Sequence, residues 1–475
     1  MSLDRRRRVW NPKWMSRRQL LAAAGAGVAA AAIGTQPEPA AAVRPPGAGI
    51  VRVSGDGFGL HAEPCVAANP RNPLQLLAAC MVGPVGQDET IAAYATFDGG
   101  RSWHSHGPLT MPPGISYAND VTVGYDQLGH GYVCAMGTSG QSPDGLDRGV
   151  WLWMTRDGGR SFRPAEAAVS GMFVDHPWMA VGAGGLHVAW VADQHGALGY
   201  TRSVSGGRFE DPRVLPIQDG DTVDSPMTAA GPRGQVCVVY AAPAGPDGKS
   251  AQGGEPGDGG DGEPGDGGAG DLNRIIRVVC STDGGHTFAR PVTLGPSTTR
   301  ISLPGGVIAN SGPSVAAAPQ GRALYAAHPV HEPDAGHSDI VVAASYDSGA
   351  TWSEPTTATP DDDVVYFQPQ LAVDVRGRVI LSAFALRDNL IDLVVLTSPG
   401  GPPLRFGTPQ PVTTTPFDPA LAADGNPKHG AWWVGDYQGL AATPNAIHAV
   451  WNDTRTGNLE LFSATLRGRE LPKER

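Results

Sequence analysis

The chain of 475 residues predicts an all-β fold, a β-propeller of four-stranded antiparallel blades with seven blades favoured. Three observations predict it. One hairpin pattern recurs along the chain, a second strand-opening pattern recurs with it, and 65 Gly with 43 Pro make about 23% of the residues, against about 12% in average usage. That share excludes long helical bundles and coiled coils, while 41% hydrophobic residues still supply a large core.

The hairpin is the pattern [ST]-x-D-x-G-x-[ST]-[WF]. Four copies read Thr96-Phe-Asp98-Gly-Gly-Arg-Ser-Trp103, Thr155-Arg-Asp157-Gly-Gly-Arg-Ser-Phe162, Ser281-Thr-Asp283-Gly-Gly-His-Thr-Phe288 and Ser345-Tyr-Asp347-Ser-Gly-Ala-Thr-Trp352. Such a segment suits a tight turn: the Asp carboxylate accepts backbone N–H bonds, Gly takes positive φ, and the aromatic buries against a neighbouring sheet. Asp98, Asp157, Asp283 and Asp347 are therefore expected to be structural. Two worn copies lie at Ser205-Gly-Gly-Arg-Phe209 and from Ser398 to Phe406.

The strand openings are Glu63-Pro64, Asn119-Asp120, His176-Pro177, Ser225-Pro226, Gly312-Pro313, Gln368-Pro369 and Asp436-Tyr437. Their second positions are separated by 56, 57, 49, 87, 56 and 68 residues. The long interval contains the insert 244–271, an acidic Gly/Asp-rich run of low complexity that is expected to be disordered. Apolar strands follow each opening, as in Leu186-His-Val-Ala-Trp190 and Val236-Cys-Val-Val-Tyr240, and about four short strands fit each unit. The last unit holds three strands, so Ile50 to Ser54 is expected to supply its outer strand, closing the ring and covering its edge.

Residues 1–42 read as a signal peptide ahead of one propeller domain, 43–475. Ser16-Arg17-Arg18-Gln19-Leu20-Leu21 is similar to the twin-arginine motif, Leu20–Ile33 is too short to span about 30 Å of hydrocarbon, and Ala40-Ala41-Ala42 offers a cleavage site before Val43. The start codon can be Met1 or Met15, and a cytosolic chain with a basic tail or an uncleaved anchor are the competing readings. The expected location is extracytoplasmic, reached through the twin-arginine pathway. The whole chain carries a net charge of −11; without the first 42 residues it holds 28 basic and 44 acidic groups, near −16. Such a chain repels phosphate backbones and anionic lipid, so neither nucleic acid nor a membrane is an expected partner. Five cysteines (Cys65, Cys80, Cys134, Cys237, Cys280) show no C-x-x-C spacing. They read as buried apolar residues, with Cys237 and Cys280 placed to pair across neighbouring strands.

The repeated hairpin resembles the Asp-box, or bacterial neuraminidase (BNR) repeat, and the mature chain resembles the sialidase superfamily. The segment from Gly435-Asp436-Tyr437 to Trp451-Asn452-Asp453-Thr454-Arg455-Thr456-Gly457 also resembles secreted bacterial proteins described as sialidase-like. The resemblance implies a secreted glycoside hydrolase acting on terminal sugars in the manner of an exo-α-sialidase, with a glycan or glycoconjugate as partner. It also implies six blades as the alternative count. The [FY]-R-I-P motif of sialidases is absent, so no catalytic residue carries over. The competing reading is a non-catalytic propeller that binds glycan or protein.

In a propeller the loops entering each innermost strand share one face with those joining the second and third strands, and the Asp hairpins turn on the other. The first face collects Glu63, Asp120, Asp175, Asp436 and Tyr437 as candidate catalytic groups, because glycoside hydrolysis needs paired carboxyls and sialidases a Tyr nucleophile. Candidate substrate-binding groups are His176, Asp224, Arg387, Asp388, Asp453 and Arg455, the two arginines being able to grip a carboxylate. Asn119, Gln368, Asp193 and His195 fall on the same face. No cofactor is expected; the weak candidates for a divalent metal are His328, His331 and His337, in a stretch rich in imidazoles and carboxylates. A monomer is expected.

Overall fold

The computed structural model describes residues 49–83, 89–142, 146–204, 208–244, 273–298, 300–302, 307–332, 337–413, 415–421 and 432–467. The proposed signal peptide and nearly all of the acidic insert lie outside them. Among the described residues, no helix is long and apolar enough to cross a membrane.

The fold is an all-β propeller of four-stranded antiparallel blades. Leu60–Asn69, Asn72–Gly83, Thr90–Thr96 and His104–Pro108 form the first sheet. Tyr117–Tyr125, Gly131–Thr138, Arg148–Thr155 and Glu166–Ser170 form the second. The third runs through Asp175–Gly182, Gly185–Ala192, Ala197–Ser203 and Arg213–Leu215, and the fourth through Asp224–Ala230, Val236–Pro243, Asn273–Ser281 and Val292–Thr298. Gly439–Thr443, Ala446–Asp453 and Glu460–Arg467 make the last, completed by Val51–Arg52. Among the described residues five four-stranded sheets thus stand separately, rather than the seven or six expected. Residues expected to build two further blades lie in one eight-stranded sheet, because a parallel bridge from Ser338 to Val365 joins the ladder of Leu324–Glu332 and His337–Ser345 to that of Val365–Val373 and Val379–Arg387. A small sheet that the periodicity did not foresee pairs Arg300–Ser302 with Val307–Asn310, and the latter with Trp432–Trp433 in parallel.

Val51 pairs with Ser463 and Arg52 with Phe462, so the N-terminal strand lies on the outer edge of the last sheet. Glu460 accepts from both the Arg52 guanidinium and the Ser54 hydroxyl. Cys237 and Cys280 face each other across adjacent strands and form a disulfide, while Cys65, Cys80 and Cys134 are free thiols.

All four repeated hairpins use their Asp in the same way. The Asp157 Oδ1 accepts from the backbone N–H of Arg160 at 3.0 Å and of Ser161 at 2.9 Å, and Oδ2 accepts from the Ser161 hydroxyl at 2.6 Å. Asp98, Asp283 and Asp347 repeat the bond from the residue four positions on. The closing aromatic then packs on a neighbouring sheet: Trp103 Nε1 donates to Ser463 Oγ at 2.8 Å, and Phe288 meets Tyr200 edge-on at 5.0 Å. Gly285 sits beside that contact with φ +79°, where a Cβ would fall 2.0 Å from the Tyr200 hydroxyl. A slight burial would raise the Asp157 carboxyl, but the bonds from Ser161, Thr155 and Arg160 outweigh it and hold the group at about 2. A carboxyl lowered by folding contributes stability above its unfolded value, near 4, and loses it as pH falls towards 2. Asp157→Ala is accordingly expected to cost about 1–2 kcal/mol at pH 7 by urea unfolding, with the deficit closing between about pH 4 and pH 2.

Candidate functional site

Where a proline enters the first strand of a blade it removes one ladder donor and the chain bulges there, and the second blade forms the same bulge with Val121 in the proline's place. Register shifts occur at Ala62/Cys65, Asn119/Thr122, Asp175/Trp178, Asp224/Met227 and Phe367/Gln370. Inside each shift one non-glycine residue adopts the left-handed conformation: Glu63 at φ 57°, Asp120 at 51°, His176 at 44°, Ser225 at 44° and Gln368 at 50°. Each such residue costs about 1–2 kcal/mol, and the cost recurs at five equivalent positions. The register also corrects the sequence alignment. Asp120 occupies the position of Glu63 and His176, so Val121 rather than Asp120 matches the prolines.

Three of these openings, at Asp120, His176 and Ser225, line one small pocket together with Gly312, Asp436 and Tyr437. Asp120, His176, Asp436 and Tyr437 are its ionisable lining, and Pro177, Trp178, Pro226 and the Tyr437 ring supply much of its apolar wall. Asp120 is only 6% exposed; its Oδ1 lies 3.5 Å from His176 Nδ1, and its buried Oδ2 has no hydrogen-bond partner. The His176 Nε2 is 4.0 Å from Asp175 Oδ2, which is also 4.0 Å from His195 Nε2. Asp436 accepts from Asn310 Nδ2 at 2.9 Å. Glu63 is buried beside Asp436 and Asp120 without lining the pocket. A glutamine and asparagine network fixes the segment carrying Asp436. Gln368 donates to the carbonyls of Gly435 and, at 2.9 Å, of Asn310; Gln438 donates to Gln368 at 2.8 Å and to Asn452 at 2.7 Å.

Burial sets the proton affinities. It pushes Asp120 up to about 7, with His176 opposing and Asp175 and Asp436 reinforcing the rise. Glu63 is held well above the usual carboxylate range by burial and then by Asp436 and Asp120. Burial alone would lower His176, but the carboxylates of Asp120, Asp175, Asp436 and Asp224 keep it well above an ordinary imidazole. The Tyr437 phenol donates to the Val121 carbonyl at 3.1 Å and stands edge-on to Trp178 at 5.0 Å. Burial, then the nearby Glu63 and Asp120, raise it well above its ordinary value.

The other expected residues lie elsewhere. Arg387 pairs with Asp361 at 2.7 Å, Asp388 and Asn389 form a two-residue hairpin turn with φ 51° and 67°, and Arg455 Nε binds Asp453 at 2.9 Å. None of Arg387, Asp388, Asp453 and Arg455 lines the pocket. Asp224 accepts from the Ser225 hydroxyl at 3.3 Å and sits 3.9 Å from the Arg274 guanidinium. His328 lies within a strand, fully buried, and burial lowers its imidazole to about 4; His337 begins the next strand, and the side chain of His331 lies outside the described residues. Among the described residues, no group of three His, Cys, Asp or Glu is arranged to hold a metal ion.

Three contributors escaped sequence reasoning. Asn310 reaches Asp436 from the unforeseen small sheet, Arg274 follows the insert, and Glu89, which adds negative charge beside Glu63, lies in a second-to-third-strand loop that the topology argument already pointed to.

No protein family model matches the chain, and no curated protein matches it significantly. Solved structures do. A polysaccharide lyase, an ulvan lyase bound to a glucuronate–sulfated rhamnose unit, is 12% identical with a TM-score of 0.50, covering 87% of this chain and 96% of its own. The α-L-arabinanase of Penicillium chrysogenum is 12% identical at a TM-score of 0.48, with 73% of this chain and 97% of that one covered. A leech intramolecular trans-sialidase is 13% identical at 0.45, over 78% and 69%. At these identities the shared property is the propeller fold.

Proposed function

We propose that this pocket is the acid–base centre of a glycoside hydrolase acting on terminal sugars. The supporting observation is Asp120: a buried carboxyl with an unpartnered oxygen, raised to about 7, in one pocket with a second carboxylate, Asp436. At neutral pH a large fraction of Asp120 keeps its proton, as a general acid must. In this mechanism Asp120 Oδ2 protonates the glycosidic oxygen as the bond to the anomeric carbon breaks. Asp436, oriented by Asn310, accepts the proton of the water that adds to that carbon, completing hydrolysis. The surrounding carboxylates favour the positive charge that develops on the ring. Tyr437 serves as a wall, because a phenol raised by burial is a poor nucleophile. His176, held cationic, orients Asp120.

The repeated hairpins fit Asp-boxes, and pairing of Val51–Arg52 with the last sheet supports closure of the ring by the N-terminal strand. Export of a monomeric mature chain through the twin-arginine pathway completes this reading. Its test is release of a chromophore from a panel of aryl glycosides. Turnover by the wild-type protein and its loss in Asp120→Asn is the expected result; retained glycan binding with no turnover across the panel would favour the non-catalytic alternative.

A further inference from the structure

We infer that a second groove, walled by both ladders of the eight-stranded sheet, binds a short stretch of a glycan chain and anchors it apart from the Asp120 pocket. The choice of a glycan rests on the glycan reading of that pocket, with which the groove shares no lining residue. The groove holds about 440 Å³, within the range of about 300–1,000 Å³ usual for small-ligand sites. One wall is the stretch 356–361: Thr356 and Thr357 pair with Val342 and Val341, and the Ala358 N–H donates to the Ile340 carbonyl at 2.8 Å. The other is the stretch 404–409, which follows the worn hairpin copy. Leu404 and Phe406 are buried at alternate positions, so Arg405 between them is turned outward.

The floor is the margin of a single core cluster, to which Ala358, Tyr366, Leu404 and Phe406 all belong. Polar groups with capacity to spare stand around it. Among the described residues the exposed Arg405 guanidinium and the hydroxyls of Thr356 and Thr357 hold no hydrogen bond or ion pair. Burial and then Asp361 push the Tyr366 phenol up to about 12, so it stays a donor at neutral pH. The Asp361 carboxylate, fixed by Arg387 at 2.7 Å, supplies an acceptor. A sugar ring fits this mixture, since its hydroxyls both donate and accept around apolar C–H faces. An added peptide strand fits it poorly, because the edge strand Thr356–Thr357 is two residues long.

Binding is separated from turnover by working in the Asp120→Asn protein. Arabinotetraose, cellotetraose, chitotetraose and tetragalacturonate are titrated against it calorimetrically. Arg405→Ala then removes the guanidinium and Thr357→Trp fills the groove, both at exposed positions where the core is undisturbed. The expected result is that at least one tetrasaccharide binds and that each groove substitution weakens it about tenfold or more. The thermal unfolding midpoint should not move. In the otherwise wild-type protein, neither substitution should change turnover of an aryl monosaccharide, which is too short to reach the groove from the pocket. Equal affinity in the parent and both groove variants, or failure of all four tetrasaccharides to bind, overturns the inference while leaving the hydrolase reading intact. Groove-dependent binding by a protein whose wild type turns over no aryl glycoside sinks the hydrolase reading alone.

Discussion

Asp120→Asn is expected to lower kcat for a neutral aryl glycoside by about 10²–10⁴-fold while changing KM only a few-fold, because it removes the proton donor and keeps the shape of the pocket. The same substitution is expected to stabilise the fold above pH 7. The Asp120 carboxyl titrates at about 7 in the folded protein and near 4 when unfolded. A carboxyl raised by folding contributes stability that is fully present below pH 4 and is lost as pH rises through 7. Asparagine never ionises, so its advantage over the wild type should be largest at pH 8 and should fade towards pH 4. The wild-type pH–rate profile should fall on its alkaline side through about 7, with protonated Asp120 as the required form. Loss of activity joined to a gain in stability would separate a strained functional group from a structural one. Thermal unfolding at pH 5, 7 and 8, run beside the kinetics, checks both halves.

Glu63→Gln is expected to have the second-largest effect, on stability rather than on turnover. Glu63 is 2% exposed, occupies the left-handed region and is held well above its ordinary range by burial and by Asp436 and Asp120. The sign is that of Asp120: the ionised form is disfavoured by folding, so the wild type loses stability as pH rises towards the alkaline range. The neutral amide should therefore gain stability over the wild type in urea unfolding as pH rises, and little in the acid range. Because Glu63 does not line the pocket, kcat at pH 6 should stay within about threefold of the wild type. Destabilisation at every pH would show that Glu63 supports the fold as an ionised or hydrogen-bonding group.

What the sequence shows plainly is what depends on near neighbours. Asp98, Asp157, Asp283 and Asp347 bond to residues three or four positions on, so the hairpin chemistry is complete within eight residues. The pairing of Cys237 with Cys280 was readable because both lie on strands that follow one another in the repeat. The N-terminal strand was readable because the last unit lacked one. Merging of two ladders was not, since it depends on a single bridge from Ser338 to Val365 that leaves no periodic trace. Arg387 and Arg455 looked available on a polar face, yet each is held by a carboxylate, Asp361 or Asp453. The Asp453–Arg455 pair was within reach of a local reading; the partner of Arg387, 26 positions away, was not. The Glu63, Asp120, His176 and Asp436 positions were named from the strand openings, but the bulges that hold the first three depend on cross-strand register, which the X-Pro steps beside Glu63 and His176 signalled without fixing.

The central claim is that Asp120 keeps its proton near neutral pH while lining the pocket. Difference infrared spectroscopy of wild type against Asp120→Asn reads the C=O stretch of that carboxylic acid directly. A protonated-carboxyl band present at pH 5.5, halved near pH 7 and absent at pH 9, and missing from the variant at every pH, is the result this account predicts. A carboxylate signal from Asp120 already complete at pH 5.5 would contradict it.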